Sequence, residues 1–236
     1  MKSIFLKAEW RKLLMVNYEV DPEILQPFIP AHTKLDLYEG KCLVSVVGFK
    51  FLNTKIKGVR IPFHVNFEEV NLRFYITHQT PEGELKRGTS FIKEIVPKPA
   101  ITFVANSLYK EKYVTMHMSH DWRHLNNQIH VKYSWGGTHS ISCVAENQLK
   151  ELKTNSLEEF ITEHYWGYTQ ISNSKTAEYG VEHPPSQTYS VHEFDLNIDF
   201  DKVYGKPFSH LKNLKPHSVL LAEGSEIIVR EGRNLK

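Results

Sequence analysis

Cysteine is scarce: Cys42 and Cys143 are the only two in 236 residues, and each lies inside an apolar run. Two thiols cannot staple a chain of this length, so a disulfide scaffold is excluded and buried thiols in a reducing compartment are expected. Long hydrophobic runs are lacking too, and the longest fall short of the roughly 20 residues that span a bilayer. The opening Met1-Lys2-Ser3-Ile4-Phe5-Leu6-Lys7 imitates a signal peptide only briefly before Glu9, Arg11 and Lys12 interrupt it. A cytoplasmic protein with no membrane partner is therefore expected. Neither sign of charge is in excess. The formal net charge is +2 and the Lys and Arg residues are scattered, which leaves no electrostatic case for a nucleic-acid partner. There is no Gly-x-Ser-x-Gly elbow and no glycine-rich phosphate loop, which argues against a serine hydrolase and a nucleotide-binding protein.

What the chain has in quantity is short strand patterns. Residues 10–20, 42–51, 66–77, 88–96, 109–118, 128–135, 138–146, 188–198, 218–222 and 226–231 all read as strands. Asp21-Pro22 starts a short helix reaching Phe28, with Asp as N-cap and Pro at the first helical position. Helical spacing of Ala100, Phe103, Val104 and Leu108 predicts a helix over 99–108. Ser156-Leu157-Glu158-Glu159 is a capping box opening a helix to about residue 165. A turn or short helix is expected over 200–204. Gly136-Gly137 marks a tight hairpin turn, and the polar stretch 172–182 reads as a loop. No repeat or composition break divides the chain. One domain over 1–236 is expected: a β-barrel or curved sheet with helical decoration.

The stretch Phe67–Ile76 carries the sharpest signal. Successive strand side chains point to opposite faces. Val70, Leu72, Phe74 and Ile76 share one face, and Glu69, Asn71, Arg73 and Tyr75 share the other. A polar row backed by an apolar one is either a solvated sheet face or the lining of a cavity. In a cavity, Glu69, Asn71, Arg73 and Tyr75 become ligand contacts, with Arg73 suited to a carboxylate or phosphate. A Glu69–Arg73 pair would lower the cost of burying either charge.

Several segments together resemble a bacterial family, domain-of-unknown-function family 2071, grouped with the acetoacetate decarboxylase-like β-barrel proteins. They are Trp10-Arg11-Lys12-Leu13, Asn17-Tyr18-Glu19-Val20-Asp21-Pro22, Asp36-Leu37-Tyr38-Glu39-Gly40 and the 67–75 strand. Phe91-Ile92-Lys93-Glu94-Ile95-Val96-Pro97-Lys98-Pro99-Ala100, Glu182-His183-Pro184 and the 218–225 ending add to them. The resemblance implies a mainly β (α+β) fold: a single acetoacetate decarboxylase-like β-barrel with a few short helices and a central cavity. It implies no established activity. Members of the decarboxylase group use a Schiff-base lysine in a Gly-x-Pro-Lys-Lys motif. The corresponding region here, Leu108-Tyr109-Lys110-Glu111-Lys112-Tyr113, lacks the Gly-x-Pro and the adjacent lysine pair. Ala105-Asn106-Ser107 stands where that group has Arg-Glu.

The resulting expectation is a small-molecule ligand, anionic or carbonyl-bearing, held by Glu69, Asn71, Arg73 and Tyr75, with no cofactor. One alternative is a lyase or decarboxylase-like enzyme using Lys110 or Lys112, with Lys93 a further lysine to consider. Another is a non-catalytic structural or interaction protein. His117, His120 and His124 have ligand-like spacing, but on strand and turn rather than helix, so no metal site is expected. Glu182-His183-Pro184 reads as a rigid turn or the rim of a cavity.

Overall fold

The computed structural model of the chain describes residues 2–235, the side chains of residues 108 and 109 excepted. Fourteen strands form one sheet among these residues. They are β1 (Ile4–Glu19), β2 (Lys34–Leu35), β3 (Leu43–Ile56), β4 (Phe67–Gln79), β5 (Leu85–Val96), β6 (Tyr113–Thr115) and β7 (Met118–Leu125). After them come β8 (Gln128–Trp135), β9 (His139–Glu151), β10 (Trp166–Ser172), β11 (Lys175–Glu182), β12 (Gln187–Asn197), β13 (Ser218–Arg230) and β14 (Arg233–Asn234). Helices α1 (Pro22–Leu25), α2 (Pro99–Val104), α3 (Leu157–Thr162) and α4 (Phe200–Tyr204) are short. None of the described helices is long and apolar enough to cross a membrane.

The main path of neighbours is β14-β11-β10-β5-β4-β3-β1-β13-β12-β9-β8-β7. β11 is also bonded to β13, through Val181↔Val229 and Glu182↔Ile228. The pairings from β11 through β10, β5, β4, β3, β1 and β13 therefore return to their start, a closed circuit of seven strands. Alternation gives this circuit two unlike faces. Leu14, Val16, Val44, Val46, Val70, Leu72, Phe74 and Ile76 turn outward into a large core. That core is completed by Ile129, Val131, Tyr133 and Trp135 of β8 and by Phe200, Phe208 and Leu211 near α4. Leu13, Met15, Leu43, Val47, Phe49 and Tyr75 turn inward and pack with Phe160 and Ile161 of α3.

α3 owes its place to both capping and burial. The Ser156 hydroxyl accepts from the Glu159 N–H at 3.2 Å, as the capping box requires. The Glu159 carboxylate reaches back to the Asn155 N–H at 2.6 Å, one residue earlier than the motif prescribes. Burying Phe160 and Ile161 contributes roughly 2–3 kcal/mol each and anchors the helix on the inner face.

The expected helix over 99–108 is α2 followed by a π-turn, Ala105–Tyr109. Residues 172–182 are not a loop: β10 and β11 form a hairpin there. The two expected terminal strands are one, β13, which passes straight through Gly224. Gly224 has φ +81, and a Cβ there would stand 2.1 Å from the Trp10 carbonyl oxygen. Cys42 and Cys143 are buried free thiols.

Gly224→Ala should therefore cost roughly 3 kcal/mol or more in urea unfolding, since strain adds to a backbone clash. Gly137 has the same φ but open space around it, so Gly137→Ala should cost only about 1–2 kcal/mol. Equal losses would show that the close β1–β13 approach is not what requires the glycine.

Candidate functional site

A cavity of about 230 Å³ lies on the inner face of the circuit, and every one of its seven strands contributes to the wall. Most of the wall is apolar, with Trp10, Phe49, Phe51, Phe91, Trp166 and Val229 among it. Into it project Glu69, Asn71 and Arg73 of β4, Glu94 of β5, Glu111 and Tyr113, Tyr179 of β11, and His164.

The β4 row reaches this cavity because its opposite face is held in the large core. Asn71 Nδ2 donates to Glu69 Oε1 at 2.9 Å, and the Tyr113 hydroxyl donates to Glu69 Oε2 at 3.2 Å. The expected Glu69–Arg73 ion pair does not form. Residues four apart on a strand are separated by roughly 13 Å, and a nearer acceptor is available. Arg73 Nη2 donates to the Ile161 carbonyl at the end of α3, at 3.0 Å. Tyr75 is not part of the cavity wall. Its hydroxyl meets Ser45 Oγ at 2.6 Å, and its ring packs on Phe160 and His164, behind the row. Glu68 points the other way, as alternation requires, and meets His120 Nδ1 at 2.6 Å. His120 Nε2 lies 3.0 Å from Lys50 Nζ. Among the described residues His117, His120 and His124 are not brought together, and no group of three His, Cys, Asp or Glu is placed to hold a metal ion.

Two carboxylates of the site were invisible to sequence pattern. In β5 the register shifts beside Ile92: Arg73 faces Phe91, while Leu72 faces Lys93. This bulge reverses the alternation, so Phe91 and Glu94 both enter the cavity. Lys93 is turned away and donates to the Val203 carbonyl. A similar choice is made in Lys110-Glu111-Lys112. Lys110, exposed and with φ +58, ends the π-turn. The Lys112 ammonium lies 5.6 Å over the Phe28 ring. Glu111, between them, enters the cavity and accepts from Thr169 Oγ1 at 2.6 Å. Among the described residues, no lysine lines the cavity.

Burial dominates the electrostatics. It pushes Glu69 up to about 7, against the hydrogen bonds from Asn71 and Tyr113. It pushes Glu111 up to about 7 as well, and Glu94 well above the carboxylate range, with Glu111 and Glu69 adding repulsion. The Tyr113 and Tyr179 hydroxyls are raised by the same burial and stay protonated donors. His164 is a further wall residue that sequence reasoning missed. Its Nε2 lies 3.1 Å from Asp36 Oδ2, which also accepts from Arg87 Nε at 2.7 Å. Burial lowers this imidazole to about 4, so at neutral pH it is uncharged, with its Nε2–H on Asp36 and the lone pair of Nδ1 unpartnered. Glu182 grips Arg230 of the wall at 2.7 and 2.9 Å. His183 stacks on Tyr165 at 4.6 Å and meets Trp10 of the wall edge-on.

These shifts fix a pH dependence. A carboxylate raised in the fold keeps a proton that the unfolded chain has released, so stability falls as pH rises from about 4.5 to 7. His164 opposes this between about 4 and 6.5, where the unfolded chain takes up the proton first. Glu111→Gln removes one carboxylate from the balance. Relative to the native chain it should gain roughly 1–3 kcal/mol at pH 8 and almost nothing at pH 4, read by urea unfolding at each pH. A difference independent of pH would contradict the burial of Glu111.

Comparison with known proteins agrees with this architecture. Residues 7–226 match domain-of-unknown-function family 2071, described as an uncharacterized conserved protein. The uncharacterized protein YqjF of Bacillus subtilis (strain 168) is 30% identical over 79 residues, which is 33% of this chain and 33% of that protein. The acetoacetate decarboxylase of Legionella pneumophila superposes with a TM-score of 0.64 at 9% identity, covering 98% of this chain and 87% of that one. The enduracididine biosynthesis enzyme MppR, complexed with pyruvate, gives 0.65 at 12% identity, covering 100% and 92%. At these identities the likeness shows the fold alone, a mainly β fold with acetoacetate decarboxylase-like neighbours. With nearly its whole length matched, the chain belongs to domain-of-unknown-function family 2071.

Proposed function

We propose that the closed circuit of strands is a single β-barrel domain over 1–236, and that its cavity binds a small carbonyl-bearing organic molecule. Glu69, Asn71 and Arg73 are its polar contacts. Tyr75 serves behind them by fixing the floor. The observation that carries this reading is a set of buried polar atoms without partners: Asn71 Oδ1, Arg73 Nε, Glu94 Oε2 and His164 Nδ1. All four belong to residues of the same cavity wall. A buried polar atom left unpaired costs about 1–3 kcal/mol, so four in one apolar hollow favour a site that is completed by a guest. The hollow itself weighs against the alternative of a barrel filled by its own side chains.

Arg73 Nε is a donor at every pH, and it suits a carbonyl or carboxylate oxygen. MppR, of similar fold, is described in complex with pyruvate and with the condensation product of pyruvate and imidazole 4-carboxaldehyde. That supports a carbonyl compound as the first class to test. It does not extend to imine chemistry on this chain, because Lys93, Lys110 and Lys112 all stand away from the cavity wall.

Two measurements check this reading. Pyruvate, used as a probe in isothermal titration calorimetry, should bind the native chain about tenfold more tightly than Arg73→Ala, a difference of about 1.4 kcal/mol. Arg73→Lys keeps a charge near the Ile161 carbonyl and controls for loss of that contact. Equal affinities would remove Arg73 from the site. Borohydride treatment with pyruvate should leave the mass of the chain unchanged, whereas a reduced adduct on Lys110 or Lys112 would reinstate the lysine mechanism.

A further inference from the structure

Buried and half-buried carboxylates such as Glu178, Asp36 and Glu223 carry their own cations. Glu178 is held by Lys86 at 3.1 Å and Arg233 at 3.0 Å. Asp36 is held by Arg87 at 2.7 Å, and Glu223 by Lys12. Glu69, Glu94 and Glu111 break the pattern. Among the described residues, no Lys, Arg or His nitrogen lies within ion-pair distance of any of them. Their hydrogen bonds come from the neutral groups of Asn71, Tyr113 and Thr169 and from the bond that Glu94 and Glu111 make to each other, while Lys112 and Arg73 act on them only from beyond contact. Three carboxyl groups sharing an apolar cavity with no cation in contact are unfavourable as anions, so the empty protein keeps protons on them that a bound cation would release.

A second observation concerns a neutral side chain. Asn71 is 2% exposed, and its amide nitrogen is committed to Glu69. That leaves Asn71 Oδ1 as an acceptor with no donor. Glu94, 3% exposed, leaves Oε2 in the same condition. Both residues line the cavity. At this end of the hollow Asn71 Oδ1 and Glu94 Oε2 have no partner, and no cation is in contact with the three carboxyls.

We infer that the molecule held in the cavity carries a planar nitrogen cation, an amidinium, guanidinium or imidazolium, seated among Glu69, Glu94 and Glu111 with one N–H given to Asn71 Oδ1. The inference rests on the cavity being a small-molecule site and adds the chemical class of the group at its acidic end. A planar cation with several donors fits separated acceptors better than a single ammonium does. Aromatic side chains in the same wall, Phe91 and Tyr179 among them, favour a flat cation over a neutral polar group. The donor Arg73 stands four residues along β4, where it takes an oxygen at the other end of the same molecule.

Benzamidine, benzamide and benzoate share one ring and differ in the charge of the head group, so together they test the inference. Calorimetry at pH 7.5 should show benzamidine binding about tenfold more tightly than benzamide, with benzoate weaker still. Glu94→Gln should remove that preference, so that benzamidine and benzamide bind the variant with similar affinity. Should Glu94→Gln fail to fold, Glu111→Gln reads the same preference. Benzamide or benzoate binding as tightly as benzamidine, or pyruvate binding while benzamidine does not, would overturn the cation and leave the cavity reading in place. A preference for benzamidine that persists in the glutamine variants would overturn the assignment to these carboxylates. Failure of all four probes, pyruvate included, would remove the cation and the small-molecule site together.

Discussion

Burying three carboxyl groups with no cation in contact is the constraint around which this protein is arranged. Glu69, Glu94 and Glu111 meet on the inner face of a seven-strand circuit, in a wall that is otherwise largely aromatic and aliphatic. An apolar core of the same size would be more stable. The fold tolerates the cluster because burial keeps part of it protonated, and because Asn71, Tyr113 and Thr169 supply neutral donors. The stability of the rest comes from elsewhere. The outward faces of β1, β3 and β4 share a large core with β8 and β9, and α3 seals the inner face with Phe160 and Ile161.

Delivery of these side chains is a matter of backbone parity. β4 alternates without interruption from Glu69 to Ile76, so its polar row stays together. β5 reverses its alternation at one bulge, which exchanges Lys93 for Glu94. The left-handed residue Lys110 turns the chain so that Glu111 enters the hollow and its flanking lysines do not. Gly167 makes room for the wall itself, since a Cβ there would lie 2.1 Å from the Tyr179 ring. Each device is a change of a single residue, and together they decide that the cavity is lined by carboxylates and not by amines. The lysine expected from the decarboxylase resemblance thus stands one position to either side of the residue that enters.

Sequence pattern exposed the parts of this arrangement that are local. Period-two alternation in β4 was legible because both of its faces are buried in unlike surroundings. The Asp21-Pro22 helix start, the Ser156 cap and the Gly136-Gly137 turn were legible because their chemistry lies within four residues. The β10–β11 hairpin was not. Ser172, Ser174, Lys175, Thr176 and Glu178 read as a loop, because Glu178 becomes buriable only through Lys86 and Arg233, which are remote in sequence. Ala177, Tyr179 and Val181 alternate through that stretch and were the signal to follow. Glu94 and Glu111 were hidden by the bulge and the left-handed residue, neither of which leaves a mark in composition. The Glu69–Arg73 pair fails for the opposite reason: both residues lie on the face that alternation assigns them, but the Ile161 carbonyl that captures Arg73 belongs to a distant helix.

The most direct test of the account is a high-resolution crystal structure of the purified protein. The account expects an enclosed hollow holding a small molecule, with a donor at roughly 2.7–3.2 Å from Asn71 Oδ1 and from Glu94 Oε2. A hollow closed by its own side chains, with Arg73 swung onto Glu69 or a lysine turned in among the carboxylates, would contradict it.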